Sequence, residues 1–405
     1  IDRSNTGAAC GVLMDGKIYT TVAEAAKDAE PGDTVTLLHN SAESVTLPKG
    51  VTLDKNNYTA NSVTVAQPAE VCDYDGLVAA LSAGEDVKLT ADVFVDTAIT
   101  VPDNTVIDLN DKTLYINVEN SCYNDAAIKN GNIVLGKDDV HVCDGYFLVN
   151  NGKTLLLDDV NVSSSADGIK GYAVFHLKTG ASLNLNKSTL NISNNEYSSG
   201  YIMYANEATA TLNFTDTAIT ASKVNGIVHA TAVMSGSTFT LTDAVEHGIN
   251  RSAVTLNDSD VTISGGTGRG ITPQHGDLLV NGTSTVTISD MAEASIQLRD
   301  DAGMTVAETA TVTVDKAVSL DSGATGMVSG TVIDTSKTVT ITFNSKGGSE
   351  VRSITQTYGS KIADLPVPAK SGYLFAGWYS DEACTTEFTS DTVVTESITV
   401  YAKWN

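Results

Sequence analysis

Ten side chains in the middle of this 405-residue chain could hold a ligand: Tyr172, His176, Tyr201, Tyr204, His229, His247, Arg251, Arg269, His275 and Arg299. Four of the six His and three of the five Arg lie among them. Tyrosine rings stack on sugar faces, and a guanidinium forks onto a carboxylate or sulfate. The set therefore suits a glycan, although exposed strands also carry Tyr as ordinary decoration. The acids offer other chemistry. Asp138-Asp139, Asp158-Asp159 and Asp300-Asp301 are doublets, the last beside Arg299. Paired carboxylates can hydrolyse a glycoside, and clustered carboxylates with a Lys or Arg base can make a Ca2+-dependent lyase. Adjacent strand positions face opposite sides, so one acid of each doublet at most could serve. Asp favours turns, and these doublets read as solvated corners. There is no H-E-x-x-H, P-loop, G-x-S-x-G or EF-hand pattern, and no Ca2+-binding nonapeptide repeat. Gly265-Gly-Thr-Gly-Arg-Gly270 lacks a following helix and also reads as a corner. No catalytic residue, metal or cofactor is expected, and no motif supports Ca2+.

What would position such a set is a repeat. From about Lys153 one phrase recurs: alternating apolar residues, a polar step, then two more alternating apolar residues. Copies are Leu155, Asp158, Val160, Val162; then Leu185, Ser188, Leu190, Ile192; then Phe214, Thr217, Ile219. Met234, Ser237, Phe239, Leu241 and Leu256, Ser259, Val261, Ile263 continue it, followed by Val280, Val286, Ile288 and Val306, Val312, Val314. Anchors at Val160, Leu190, Ile219, Phe239, Val261, Val286, Val312 and Val332 are spaced by 30, 29, 20, 22, 25, 26 and 20 residues. Between phrases lies a third short apolar run, such as Tyr172-Ala-Val-Phe-His176, Tyr201-Ile-Met-Tyr204 or Gly226-Ile-Val-His229. Three short strands per coil cannot bury their apolar faces alone, so the coils must stack. Leu155, Leu185, Leu256 and Val280 should point inward, and the ten ligand-type residues should line the third strands. The centre of such a face would be Tyr204, His229, Arg251 and His275, running about 15 Å along the stack.

The stretch 106–334 resembles the right-handed parallel β-helix (pectate-lyase-like) family in this pattern. The first hundred residues differ. Thr21 and Glu24 form a capping box, Val22, Ala25, Ala26 and Ala29 share a helical face, and Pro31-Gly32 stops the helix. A second copy follows about 54 residues later: Leu77, Ala80 and Leu81 on one face, Gly84 as terminator, then Val87-Lys-Leu89. The tails align as Val51-Thr-Leu-Asp54 with Thr105-Val-Ile-Asp108, and Asn56 with Asn110. The unit resembles the amphipathic entry of bacterial surface β-helices, where a helix covers the open end of the coil.

After Val332 the composition changes. Thr335-Ser336-Lys337 reads as a linker, and both Trp lie beyond it. The stretch 339–404 closely resembles the Listeria–Bacteroides repeat, the internalin-type B-repeat. Its marks are Val339-Thr-Ile-Thr-Phe343-Asn344, Gly347-Gly348, Tyr358-Gly359, Leu365-Pro366, Pro368 and Gly372-Tyr-Leu-Phe-Ala-Gly-Trp378-Tyr379. Asp381-Glu382, Cys384 and Val400-Tyr-Ala-Lys-Trp404 complete the match. The resemblance implies a small β-grasp-like fold with one short helix, packed on the two Trp, acting as spacer or binding module outside a bacterial cell.

Composition narrows the classes. A net charge of −25 excludes nucleic-acid and anionic-membrane surfaces, and no apolar run spans a membrane. The five cysteines, Cys10, Cys72, Cys122, Cys143 and Cys384, have no zinc or redox spacing and read as small buried hydrophobes. With no initiator Met, the chain reads as a trimmed mature fragment. The expected organisation is helix–strand units over 1–104, a β-helix over 105–334 and the repeat module over 335–405. The expected role is that of an extracellular cell-surface or cell-wall adhesin or stalk: non-catalytic, binding host or glycan ligands, and part of a larger surface assembly. A β-helix polysaccharide lyase or glycosidase, and a structural fibre subunit, are the rivals.

Overall fold

The computed structural model describes residues 12–30, 32–118, 120–136, 145–165, 169, 172–193, 200–207, 209–274 and 276–405. Two short helices, α1 (Val22–Asp28) and α2 (Tyr74–Ser82), accompany a chain otherwise built of strands. Most strands pair in parallel with the strand one coil away, the arrangement of a parallel β-helix.

Each coil has three sides. One side carries a column of Leu155, Leu183, Leu212, Ala232, Val254, Leu278 and Met304, paired in register from coil to coil. The next carries Val162, Leu190, Ile219, Phe239, Val261, Val286 and Val312. The expected anchor Val160 is thus displaced by Val162, because Asn161 pairs with Thr189. The third side is a ten-stranded sheet whose inward column runs Phe147, Phe175, Met203, Ile227, Ile249, Ile271, Ile296. Leu155, Leu185, Leu256 and Val280 all point inward and are buried. Ten strands at the usual ~4.8 Å spacing make a rod about 43 Å long.

The polar step of the repeat has a physical reason. Ser188, Thr217, Ser237, Ser259 and Ser284 are buried where the chain turns from the first side to the second. The residue just before each of the first four, Lys187, Asp216, Gly236 or Asp258, has positive φ. The turn exposes an amide to the interior, and the hydroxyl of the next coil accepts from it. Thr217 N donates to Ser237 Oγ at 3.1 Å, Ser237 N to Ser259 Oγ at 3.1 Å, and Ser259 N to Ser284 Oγ at 3.0 Å. Each hydroxyl in turn donates to a carbonyl two or three residues earlier, as Ser237 Oγ does to Ser235 O at 2.9 Å. A buried amide left unpaired costs about 1–3 kcal/mol, which this ladder avoids.

The two helix–strand units share local geometry. Asn56 N donates to Asp54 Oδ1 at 2.9 Å and its side chain to Leu37 O at 3.2 Å. Asn110 repeats this with Asp108 Oδ1 at 3.0 Å and Leu89 O at 3.0 Å. Their packing differs. Leu77, Ala80 and Leu81 of α2 join the continuous solenoid core, which begins at Val71, ahead of the boundary expected at residue 105. Val22 and Ala25 of α1 instead belong to a separate core with Val12, Val35, Leu37, Leu47 and Val63.

The C-terminal module is a mixed sheet. Ile341 pairs in parallel with Ile398, flanked by antiparallel partners on both sides. Trp378 is buried, with Nε1 donating to Pro366 O at 2.7 Å, and Trp404 Nε1 donates to Ser345 O at 2.8 Å. The short helix implied by the resemblance is not found: residues 359–374 contain no helix, and Pro366 and Pro368 withhold two of the amides it would need. The linker expected at Thr335-Ser336-Lys337 takes the form of a three-residue bulge, not a free tether. These residues lie within the strand Val332–Asn344, but among the described residues they pair with no other strand. The register with the module passes from Asp334–Tyr358 to Thr338–Thr357, so the three form an exposed bulge between paired segments.

Candidate functional site

The register sorts the ten ligand-type residues into separate groups. On the outward column of the third side, His176 pairs with Tyr204, Tyr204 with Val228, and Val228 with Asn250. His229 and Arg251 come one residue later, at the corner, with φ of 58° and 51°. Tyr204 therefore does not share a column with His229 and Arg251, and His275 lies outside the described residues. The single ladder centred on these four residues is not formed.

The first group is aromatic. Tyr172, Tyr201 and Tyr204 have ring centroids 4.8–5.6 Å apart, and His176 packs edge-on to Tyr204 at 5.2 Å. His176 is buried, with Nε2 2.7 Å from Asn206 Oδ1. Burial raises the Tyr201 phenol above its ordinary value, assisted by the nearby Glu246 carboxylate. These rings support one another more than they present faces outward.

The second group is charged, and each Arg beyond Arg251 already meets an acid. Arg269 lies 2.6 Å from Glu293, and Arg299 lies 3.4 Å from Asp321. In a chain of net charge −25, acids from neighbouring coils lie against both guanidiniums. Arg251 Nη1 sits 3.4 Å from His229 Nε2. His247 is held by structure: its Nδ1 accepts from Arg269 N at 3.1 Å, and its Nε2 faces Glu246 at 3.4 Å. Burial pushes its pKa below the usual imidazole value, so the neutral form is favoured. Asn225, which the pattern did not single out, is fully buried and accepts from the amides of Glu246 and His247 at 2.8 and 2.9 Å. It locks the loop that carries both.

The acid doublets sit at corners. Asp159 and Asp300 have positive φ, Asp158 accepts from Asn186, and Asp300 accepts from Gln274 at 2.9 Å. Asp138-Asp139 lies outside the described residues. Among the described residues no three His, Cys, Asp or Glu side chains converge on a metal position. The cysteines depart from expectation: Cys72, between a strand and α2, is exposed, while Cys122, on the outward face of the strand Ser121–Tyr123, and Cys384, in a turn with φ of 55°, are half-buried. Cys10 and Cys143 lie outside the described residues.

The junction is the other distinctive place. Val314 pairs with Asp334, and Asp334 pairs with Tyr358 of the module. Asp334 is buried, accepts from Ser336 N at 3.0 Å and faces Lys337 Nζ at 3.3 Å, while that ammonium lies 5.5 Å from the Tyr358 ring centre. Gly359 has φ of 82°, and a Cβ there would meet Val332 O at 2.3 Å. The module thus sits directly on the last coil. A recess of about 440 Å³ between them is lined by Val306, Glu308, Thr309, Gly330, Ser360 and Lys361, among others.

No helix among the described residues is long and apolar enough to cross a membrane. A protein of Evansella cellulosilytica named "Putative membrane protein" is 42% identical over 66 residues, 16% of this chain and 10% of its own length. Another from that organism, named "Putative Gly-rich membrane protein", is 45% identical over 67 residues, again 16% of this chain and 8% of its own. The chain therefore spans about a tenth of the curated relatives it matches. Residues 340–403, the sheet built around Trp378, match the family model of the Listeria-Bacteroides repeat domain.

Proposed function

We propose that this chain is a stalk segment of an extracellular bacterial surface protein, stiff and non-catalytic, which spaces other parts of that protein from the cell. The observation that carries this reading is Asp334, which pairs with Val314 of the last coil and with Tyr358 of the repeat module within the strand Val332–Asn344. A flexible tether would leave the two bodies free to reorient; a shared strand, with Gly359 seated on Val332, couples them. The Listeria-Bacteroides repeat and relatives named as membrane proteins support a surface location. The large negative charge supports a soluble, self-repelling rod. The adhesin reading rests on the Tyr172–Tyr201–Tyr204 cluster, in which ligand-type aromatic side chains gather.

Spin labels placed on either side of the junction test the stalk. One narrow distance distribution is expected, broadened by inserting six Gly/Ser residues after Ser336. A broad distribution in the parent chain would defeat the reading. The lyase or glycosidase alternative predicts product release from pectin, alginate or mucin glycans, and the stalk predicts none.

A further inference from the structure

The second side of the solenoid carries an exposed aromatic stack at its N-terminal edge. Val93-Phe94-Val95 and Leu114-Tyr115-Ile116 alternate in phase: the aliphatics are buried and the rings point outward. Tyr115 pairs with Phe94, and the two rings stack with centroids 4.4 Å apart and planes 6° from parallel. The strand Val93–Val95 pairs only with Thr113–Ile116 among the described residues, so it forms the edge of this side. One face of Phe94 lies on Tyr115; the other points off that edge, and the ring is 54% exposed.

Two carboxylates flank that ring. Side chains at positions 92, 94 and 96 share one face of an extended strand. Asp92 and Asp96 are both exposed, and each is fixed by one hydrogen bond from the next coil: Thr113 N to Asp92 Oδ1 at 2.8 Å, and Asn117 Nδ2 to Asp96 Oδ1 at 2.7 Å. Neither pairs with a Lys or Arg among the described residues, although Asp28, Asp86, Asp103 and Asp125 do. An aromatic face between two uncompensated carboxylates attracts cations through both the ring quadrupole and the charges. A small inorganic cation would remain hydrated above the ring, whereas an ammonium with an apolar or sugar body can lie against it.

We infer that Phe94, with Asp92 and Asp96, forms a binding platform for an organic ammonium group, of the kind carried by quaternary amines or by amino sugars. The stacked Tyr115 holds the ring in place, and the hydrogen bonds from Thr113 and Asn117 preset the carboxylates. This goes beyond the stalk reading and does not depend on it.

The full chain is titrated by calorimetry with choline chloride and with a glucosamine tetramer, beside two neutral counterparts, 3,3-dimethylbutan-1-ol and the N-acetylated tetramer. Saturable binding of choline or the glucosamine tetramer, with a dissociation constant on the order of millimolar, is expected, and the neutral counterparts should bind at least tenfold more weakly. Binding of choline alone assigns the site to quaternary amines, of the tetramer alone to amino sugars, and of both to either source. Phe94→Ala should remove binding, and Asp92→Asn with Asp96→Asn should weaken it several-fold. The melting temperature should hold in all variants, since these side chains are exposed. Absence of binding by both cations, equal binding of a neutral counterpart, or unchanged binding in the Phe94→Ala variant would each overturn the inference.

Discussion

The solenoid and the repeat module are both β structures, but they bury their cores in opposite ways. The solenoid spreads its core over seven or more equivalent layers, each contributing one aliphatic to each column. The module concentrates its core on few large side chains: Phe343, Phe375 and Trp404 gather around or near Trp378, at centroid separations of 4.8–5.6 Å. A stacked array is held together by nearest neighbours, so damage stays local. A small domain with one aromatic centre has no second layer to fall back on. The shared strand joins two bodies of different vulnerability.

That contrast can be tested by removal. Trp378→Ala should cost about 3–5 kcal/mol and abolish the module's thermal transition, while the solenoid's transition persists in calorimetry. Loss of both transitions together would mean that the junction makes one cooperative unit. Leu212→Ala, in the middle of a solenoid column, should cost about 2–5 kcal/mol by local destabilisation. Hydrogen exchange should then quicken in the adjoining coils and stay slow near residues 114 and 312; uniform acceleration would refute the layered picture.

A smaller effect is expected at the junction and in the hydroxyl ladder. Gly359→Ala places a methyl against Val332 O and should cost about 1–3 kcal/mol, broadening the distance distribution between the two bodies. Ser237→Ala leaves the Thr217 amide without its acceptor and should cost about 1–3 kcal/mol, read from urea unfolding. Ser237→Thr, which keeps the hydroxyl, should recover most of that loss.

The smallest effect is a pH dependence confined to the solenoid. The His247 pKa is depressed in the folded state, so the unfolded chain binds the proton more readily. Its contribution is fully present above the unfolded value of about 6.5 and declines as pH falls through and below it. Melting of the solenoid should therefore weaken between about pH 7 and pH 5, and a His247→Asn variant should flatten that slope. The module contains no His, so its transition should not show this particular dependence.

Much of the architecture was legible because it is periodic. Leu185, Leu256 and Val280 could be placed inward from spacing alone, since a period of two has only two phases and burial selects one. The capping pattern of Thr21 and Glu24 was equally local: Thr21 Oγ1 accepts from Glu24 N at 3.0 Å. The motifs around Trp378 marked the repeat module without any knowledge of its contacts. Phe94 and Tyr115 stand in phase in the same alternation, but neither carries a charge, and only the pairing of their strands makes them a stack.

The third dimension decided the rest. Whether Tyr204 stands beside His229 depends on the pairing of Tyr204 with Val228, and loose coil lengths hide a one-residue offset of that kind. Thr335-Ser336-Lys337 has the composition of a linker, yet pairing just before it, at Asp334, and just after it, at Thr338, reduces it to a bulge. The two helices carry the same amphipathic pattern; only the presence of a stacked coil beneath α2 makes it the cap, while α1 closes a core of its own. Local sequence sets which face of an element must be buried, because that preference is carried by the residues themselves. What covers that face is settled by partners distant in the chain, and no local pattern records them.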